Sequence, residues 1–398
     1  MIFSLKMRDD FLKYLAQTSS HPLLLEISKA KGSYVYDTQG KEYLDFIAGV
    51  SANTLGHQPT AVVKAIKDQL DHYMHVMVYG EFIQEPQTEL AKIIANHLPE
   101  SLNCTYLTNS GTEATEGALK LAKRVTGRFE FIAAKNAYHG NTQGAMSVCG
   151  NEEQNGAFRP LIPGVSFIEF NNEDDLLKIN EHTAGVILET IQGGAGFIVP
   201  ENNYLKKVSN RCKEVGALLI LDEIQCGIGR TGTFFGFEQY HIIPDIVITG
   251  KGLGGGMPIG AFISSKLNMD LLTHNPKLGH ISTFGGHPVI AAAALATLKT
   301  LFDSTLMKEA KNKEALIREL LIHHKIKEIR GKGLMIALIM ENKETADHLI
   351  LEGFRNGILL FWLLYQPRAV RITPPLTVSN EEIKKGCKII LNILDQKE

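Results

Sequence analysis

Between about residue 100 and residue 265, short apolar runs alternate with amphipathic segments, a rhythm that feeds β-α units into a mostly parallel sheet. The runs read FEFIAA (129–134), GVSFIEF (164–170), AGVILE (184–189), ALLILDE (217–223) and DIVITG (245–250). A strand with one wet face alternates polar and apolar residues. These runs have largely lost that alternation, as strands buried on both faces do. Ahead of the first run, TEATEGALKLAKRV (112–125) places Ala114, Ala118, Leu121, Ala122 and Val125 on one helical face. The fold class that follows is α/β, a large domain with a mostly parallel central sheet.

The flanks read differently. GSYVYDTQGKEYLDFIAG (32–49) is a hairpin-like pair of strands with a glycine turn. Beyond residue 300 a charged helical stretch, LMKEAKNKEALIRELL, leads into strand-like GLMIALIM (333–340), ILLFWLLY (358–365) and AVRITPP (369–375), which predicts a smaller α+β C-terminal domain. A chain of 398 residues has room for both. The expected division is an N-terminal segment over 1–50 packing with the small domain, a large domain over 51–300 and a small one over 301–398.

Composition excludes several classes of function. A net charge of −2 gives no electrostatic case for nucleic acid or an anionic membrane, so small molecules are the expected ligands. Five widely spaced cysteines without a C-x-x-C pair point to neither a disulfide framework nor a zinc site, and no other metal site is expected. That favours a reducing cytoplasm. The N-terminus, MIFSLKMRDDFLKYLAQ, carries acids where a secretory peptide needs an apolar stretch. The apolar runs VIAAAALATL (289–298) and GILLFWLLY (357–365) fall short of the roughly 20 residues that span a bilayer.

Two glycine motifs invite a nucleotide reading, and both fail. The glycines after Lys251 in TGKGLGGGMPIG resemble a phosphate loop, but Gly252 stands where that loop needs a hydroxyl residue. In GIGRTG, Gly227, Gly229 and Gly232 match a dinucleotide fingerprint with Asp245 about 20 residues on, yet the following TFFGFEQY is no amphipathic helix. A nicotinamide-dependent oxidoreductase stays as a minor alternative.

Asp222 and Lys251 each end an apolar run, and ligands of open α/β sheets gather outside the carboxyl ends of strands. A lysine amine there is a potential Schiff-base nucleophile. A carboxylate beside it can keep a pyridinium nitrogen protonated, so that the ring becomes an electron sink. Pyridoxal 5′-phosphate (PLP) makes both demands. Its phosphate has a candidate seat in NSGTEATEGALK (109–120), where Ser110 and Glu113 form a capping-box pattern and Gly111 leaves its own N–H and that of Thr112 accessible. An ordinary helix cap reads the same way. Tyr138 in AYHG can offer a ring platform or fill the core.

SGTEA (110–114), YHG (138–140), LDEIQCGIGRTG (221–232), TGKGLGGGMPIGA (249–261), STFGGHP (282–288) and VRITPPL (370–376) together resemble, in the same order, the class III aminotransferases. The subgroup they look most like contains the acetylornithine, ornithine and 4-aminobutyrate aminotransferases. The resemblance implies a PLP-dependent transferase of fold type I that moves an amino group from an amino acid or amine to a 2-oxo acid such as 2-oxoglutarate. It implies that Lys251 forms the Schiff base with the cofactor and then carries a proton between substrate Cα and cofactor C4′. Asp222 pairs with the pyridinium nitrogen, Gln225 contacts the phenolic-oxygen side, Tyr138 stacks on the ring, and Ser110, Gly111 and Thr112 form the phosphate end. Glu189 matches a family glutamate near the ring, with Thr190 in place of the usual proline; a structural acid at a strand end is the alternative. Thr283 matches a threonine that reaches the phosphate from a neighbouring subunit, which implies a homodimer. His139 belongs to the motif without a role of its own, and the glycines after Lys251 read as packing room beside the cofactor.

Two departures bear on substrate. Asn141 stands where the acetylornithine and ornithine enzymes carry an arginine for the donor's carboxylate, and Gly194 stands where they carry a glutamate that masks a second arginine. That second arginine, Arg371, is kept. An amide binds a carboxylate more weakly than a bidentate guanidinium. Arg371 is therefore expected to grip a carboxylate in both half-reactions, and the donor to have a less anionic distal end. An aminomutase or decarboxylase on the same scaffold is the nearest alternative.

Overall fold

The computed structural model describes residues 2–396, and its strands fall into three sheets. The first holds β1 (Ile27–Lys31), β2 (Tyr34–Asp37) and β3 (Glu42–Asp45). β2 and β3 are the expected antiparallel hairpin, with Tyr34 opposite Leu44 and Gly40 at φ +85° in the turn. β1 carried no sequence signal because ISKAK is mostly exposed.

The central sheet contains β4 (Cys104–Thr108), β5 (Glu130–Ala134), β6 (Val165–Ile168), β7 (Thr183–Glu189), β8 (Leu218–Asp222), β9 (Ile246–Gly250) and β10 (Gly260–Ser264), in the order β4-β10-β9-β8-β7-β5-β6. The five apolar runs of the sequence are β5 to β9, all parallel. β10 is antiparallel to both β9 and β4, because the short link from Lys251 to Ile259 has no room for the helix that a parallel crossover requires. The carboxyl ends of β4, β5, β7, β8 and β9 therefore share one edge of the sheet. Register fixes their order along it: Glu189 pairs with Asp222, Asp222 with Ile248, and Gly260 with both Gly250 and Thr108.

After β4 the chain enters the helix Gly111–Thr126, capped by Ser110 and stopped by Gly127 at φ +69°. Its buried face, Ala114, Ala118, Leu121 and Ala122, lies on β9 and β10. Gly117 lets the helix come this close, since a Cβ there would stand 2.3 Å from Phe262 Cε1 on β10. The apolar run at 289–298 lies in the helix Pro288–Phe302, packed between Thr60–His72 and Glu85–Asn96. No single described helix is long and apolar enough to cross a membrane.

The C-terminal strands are β11 (Ile326–Lys332), β12 (Met335–Met340), β13 (Ile358–Leu359), β14 (Phe361–Trp362) and β15 (Ala369–Ile372). β11, β12, β15 and β14 make the third sheet in that order, while β13 joins β3 of the first sheet in parallel. ILLFWLLY is therefore not one strand. Its apolar residues serve two sheets, and the chain steps from one to the other at Leu360. Arg371 on β15 sits opposite Ala337 of β12 and Phe361 of β14.

Gly117→Val is expected to destabilise the protein by about 1–3 kcal/mol through overpacking against Phe262. Urea unfolding is the check: the midpoint falls with the slope unchanged.

Candidate active site

A cavity of about 450 Å³ opens at the shared edge, lined by Lys251, Asp222, Glu189, Gln225, Tyr138 and Arg371 together with Gly111, Thr112, Asn141 and Gly194. Nearly all the site residues read from the sequence converge here. Ser110 and Thr283 are absent from the lining.

Lys251 follows β9 directly and adopts φ +41°, in the left-handed region where a side chain costs roughly 1–3 kcal/mol. The turn throws its side chain into the cavity. Burial pushes its amine below the usual lysine value, with Arg371 adding to the effect and Asp222 and Glu189 opposing it. No hydrogen bond or ion pair holds the amine among the described residues. The glycines that follow correct the expectation of packing room beside a cofactor. A Cβ at Gly252 would lie 2.3 Å from Thr54 Oγ1, and one at Gly255, itself at φ +59°, 2.3 Å from Thr297 Oγ1. They admit other parts of the protein.

Asp222 is buried at the end of β8, where Oδ1 accepts the N–H of Ile224 at 2.9 Å and Oδ2 accepts from His139 Nδ1 at 2.7 Å. His139 Nε2 is buried without a partner. No role for His139 was legible in its motif. Its contact spans from the segment after β5 to the end of β8, a proximity that only the fold creates.

At the helix start, Ser110 Oγ accepts the N–H of Glu113 at 3.3 Å. The capping box is incomplete, because the Glu113 carboxylate takes both N–H groups of Asn109 instead of reaching back to Ser110. Ser110 is thus the helix cap, outside the cavity wall. Thr112 spends its hydroxyl locally: Thr142 Oγ1 donates to Glu116, so Thr112 Oγ1 donates to Thr142 at 2.8 Å and accepts the Thr142 N–H. Gly111 and Thr112, the first residues of the helix, line the cavity, and their backbone N–H groups lie at the positive end of the helix dipole.

Glu189 accepts the N–H groups of Tyr138 (3.2 Å) and Gly193 (2.9 Å), and burial raises its carboxyl to about 7. Gln225 reaches Ser51 Oγ at 3.5 Å. Arg371 is 5% exposed, and burial lowers it to about 10. Its Nε and Nη1 have no partner, and its guanidinium carbon stands 5.7 Å from the centre of the Phe197 ring. Asn141 lies exposed at the cavity mouth. Sequence reasoning passed over the apolar lining of Val50, Phe361, Trp362 and Leu364. Val50 sits at φ +58°, which no spacing signals.

The decoy GIGRTG packs against protein: a Cβ at Gly229 would meet Leu376 and Met307 at 2.9 Å, and only a short turn, Gly236–Tyr240, follows. Over residues 15–394 the sequence matches the family described as aminotransferase class III. The chain belongs to the class III aminotransferases. Among its relatives, the acetylornithine aminotransferase of Caldanaerobacter subterraneus subsp. tengcongensis is 36% identical, with 96% of this chain and 98% of the relative covered. That of Bacillus subtilis is 39% identical over 91% and 93% of the two chains. The ornithine aminotransferase of Toxoplasma gondii ME49 superposes with a TM-score of 0.90 at 30% identity, covering 98% of this chain and 94% of that one. A second Toxoplasma gondii structure of that enzyme, at 31% identity and the same TM-score, is described with PLP at its active site.

This class III aminotransferase is a PLP-dependent transaminase of fold type I, and the nicotinamide alternative ends here. The cavity fits PLP on its own evidence. A depressed, unpartnered lysine amine, a buried carboxylate held by His139 and a helix N-terminus at the cavity wall match the aldehyde, the ring nitrogen and the phosphate.

Because the folded Glu189 carboxyl is raised from 4.5 to about 7, the native state binds a proton there more tightly than the unfolded chain. Stability from this group is full below pH 4.5 and is lost as pH rises toward 7, by on the order of 3 kcal/mol. Glu223, raised to the same value by burial, acts in the same direction. In cofactor-free protein, Glu189→Gln is expected to remove about half of this slope, as read by urea unfolding at pH 5 and pH 7.5.

Proposed function

We propose that the protein transfers an amino group from a linear ω-amino donor to 2-oxoglutarate, with Arg371 gripping a carboxylate of the 2-oxo acid. The observation that carries this is the buried guanidinium whose Nε and Nη1 have no partner. An unpaired buried cation is costly, and a substrate carboxylate relieves that cost with charge-assisted hydrogen bonds. Gly194 has no side chain with which to compete for the arginine. At the mouth, Asn141 offers hydrogen bonds without charge, beside apolar Phe361, Trp362 and Leu364. That lining suits a donor whose distal end is less anionic than the carboxylate of N-acetylornithine.

Bound PLP supplies the ring that accepts the electron pair as the substrate Cα loses its proton. Lys251, shifted toward its neutral form by burial, takes that proton at Nζ and returns it on the other side of the reaction. Asp222, oriented by His139 and the Ile224 N–H, would hold a proton on the ring nitrogen. The N–H groups of Gly111 and Thr112 would hold the phosphate, with Tyr138 and Gln225 on the ring. Glu189 braces Tyr138 through its backbone.

Arg371→Gln should raise KM for both 2-oxoglutarate and pyruvate, which share the carboxylate beside the reacting carbonyl, by about 100-fold, the loss of a charged hydrogen-bonded pair. Steady-state kinetics with both acceptors decides the assignment. An unchanged KM for either would overturn it.

The same reading includes a homodimer. Thr283 is exposed and apart from the cavity, and beside it stand the exposed apolar side chains of Ile281 and Phe284. A cleft of about 660 Å³ there is also lined by Phe82 and Ile83, the latter 97% exposed. Apolar surface of this kind marks an interaction site, and a second copy is the occupant that would bring Thr283 to a phosphate. Ile83→Asp is expected to halve the sedimentation mass and to weaken PLP retention; an unchanged mass would count against the dimer at this face.

A further inference from the structure

A second cavity, about 680 Å³, lies beside the first, bordered by His21, Asn151, Gln154 and Lys343. Trp362 and Leu364 line both cavities. Tyr365 backs Gly194 from the outer side. It lines the outer cavity, and its ring packs over Gly194 of the inner one so closely that a Cβ on Gly194 would lie 2.8 Å from ring carbons Cδ2 and Cε2. The segment is tied on both flanks. The Tyr365 N–H donates to the Gly194 carbonyl at 2.9 Å, and the Trp362 indole N–H donates to Asp347 Oδ1 at 2.7 Å, with Lys343 on the other carboxylate oxygen at 2.6 Å.

We propose that Tyr365 is the specificity-determining residue that sets the length of amino donor this site accepts. The distal end of the donor stops against its ring, and glycine at 194 is required for the ring to seat there. A longer tail would have to pass the ring into the outer cavity, whose Asn151, Gln154 and Lys343 suit a polar end. The proposal rests on the reading of a linear ω-amino donor, but it is independent of Arg371.

The test uses straight-chain primary amines from butylamine to octylamine, which carry no carboxylate. In the cofactor-free protein, the emission of Trp362, the only tryptophan, reads binding without turnover. In the holoenzyme, kcat/KM is measured along the same series. For the wild type, both readouts should break at one chain length, dropping about tenfold or more at the first amine too long, the scale of one methylene that does not fit. Tyr365→Ala should move the break to longer amines in both readouts, and Tyr365→Phe, which keeps the ring, should leave it in place. Gly194→Ala, which displaces the ring without removing it, should also shift the break. An unchanged break in Gly194→Ala and Tyr365→Ala, or a break lost in Tyr365→Phe, would overturn the proposal. Glutarate titrated into the same proteins separates the two readings: failure of glutarate to bind the wild type sinks the role of Arg371 and leaves the amine series to judge Tyr365.

Discussion

Lys251 and Arg371 are taken out of water in one cavity with two carboxylates, Asp222 and Glu189, and among the described residues no ion pair joins the bases to the acids. Desolvation explains the behaviour of the whole group. It lowers the lysine amine, lowers Arg371 to about 10 and raises Glu189 to about 7. Two direct contacts between these cations and carboxylates would have quenched both effects. Instead Asp222 is held by His139 and a backbone N–H, and Glu189 by two backbone N–H groups. The cations stay free for ligands.

That arrangement depends on the sheet. Parallel strands deliver their carboxyl ends to one edge, and the β7–β8 register sets Glu189 beside Asp222. The third sheet approaches the edge from the other side and contributes Arg371 from β15. The left-handed turn at Lys251 is tolerated because packing on every side fixes it: the glycines after it interlock with Thr54 and Thr297. Strain at Lys251 is offset by packing contacts outside the cavity.

The legible parts of the site were those encoded locally. Asp222 and Lys251 end apolar runs, and the cap at Ser110 announces a helix start, so strand ends and a helix N-terminus were visible in the spacing. The partner of Asp222 was not. His139 is separated from it by the strands β6 and β7 in sequence, and no local pattern records a contact made across a sheet. ILLFWLLY misled for a related reason: an apolar run reports burial, but not which of two sheets does the burying. The glycines after Lys251 were legible as close packing and misassigned as to what approaches them. Tyr365 left no trace, because its meaning lies in the missing Cβ of Gly194, far away in sequence.

The sequence by itself determined the parallel sheet, the lysine and the acid at two strand ends, and through six ordered motifs the class of chemistry, because periodicity and strand-end residues are properties of neighbours along the chain. Tertiary structure alone decided which groups share a water-poor cavity and which are left without partners. Desolvation and unmet hydrogen bonds are sums over everything nearby in space, and Arg371, Glu189 and Tyr365 acquire their properties only when distant segments close around them.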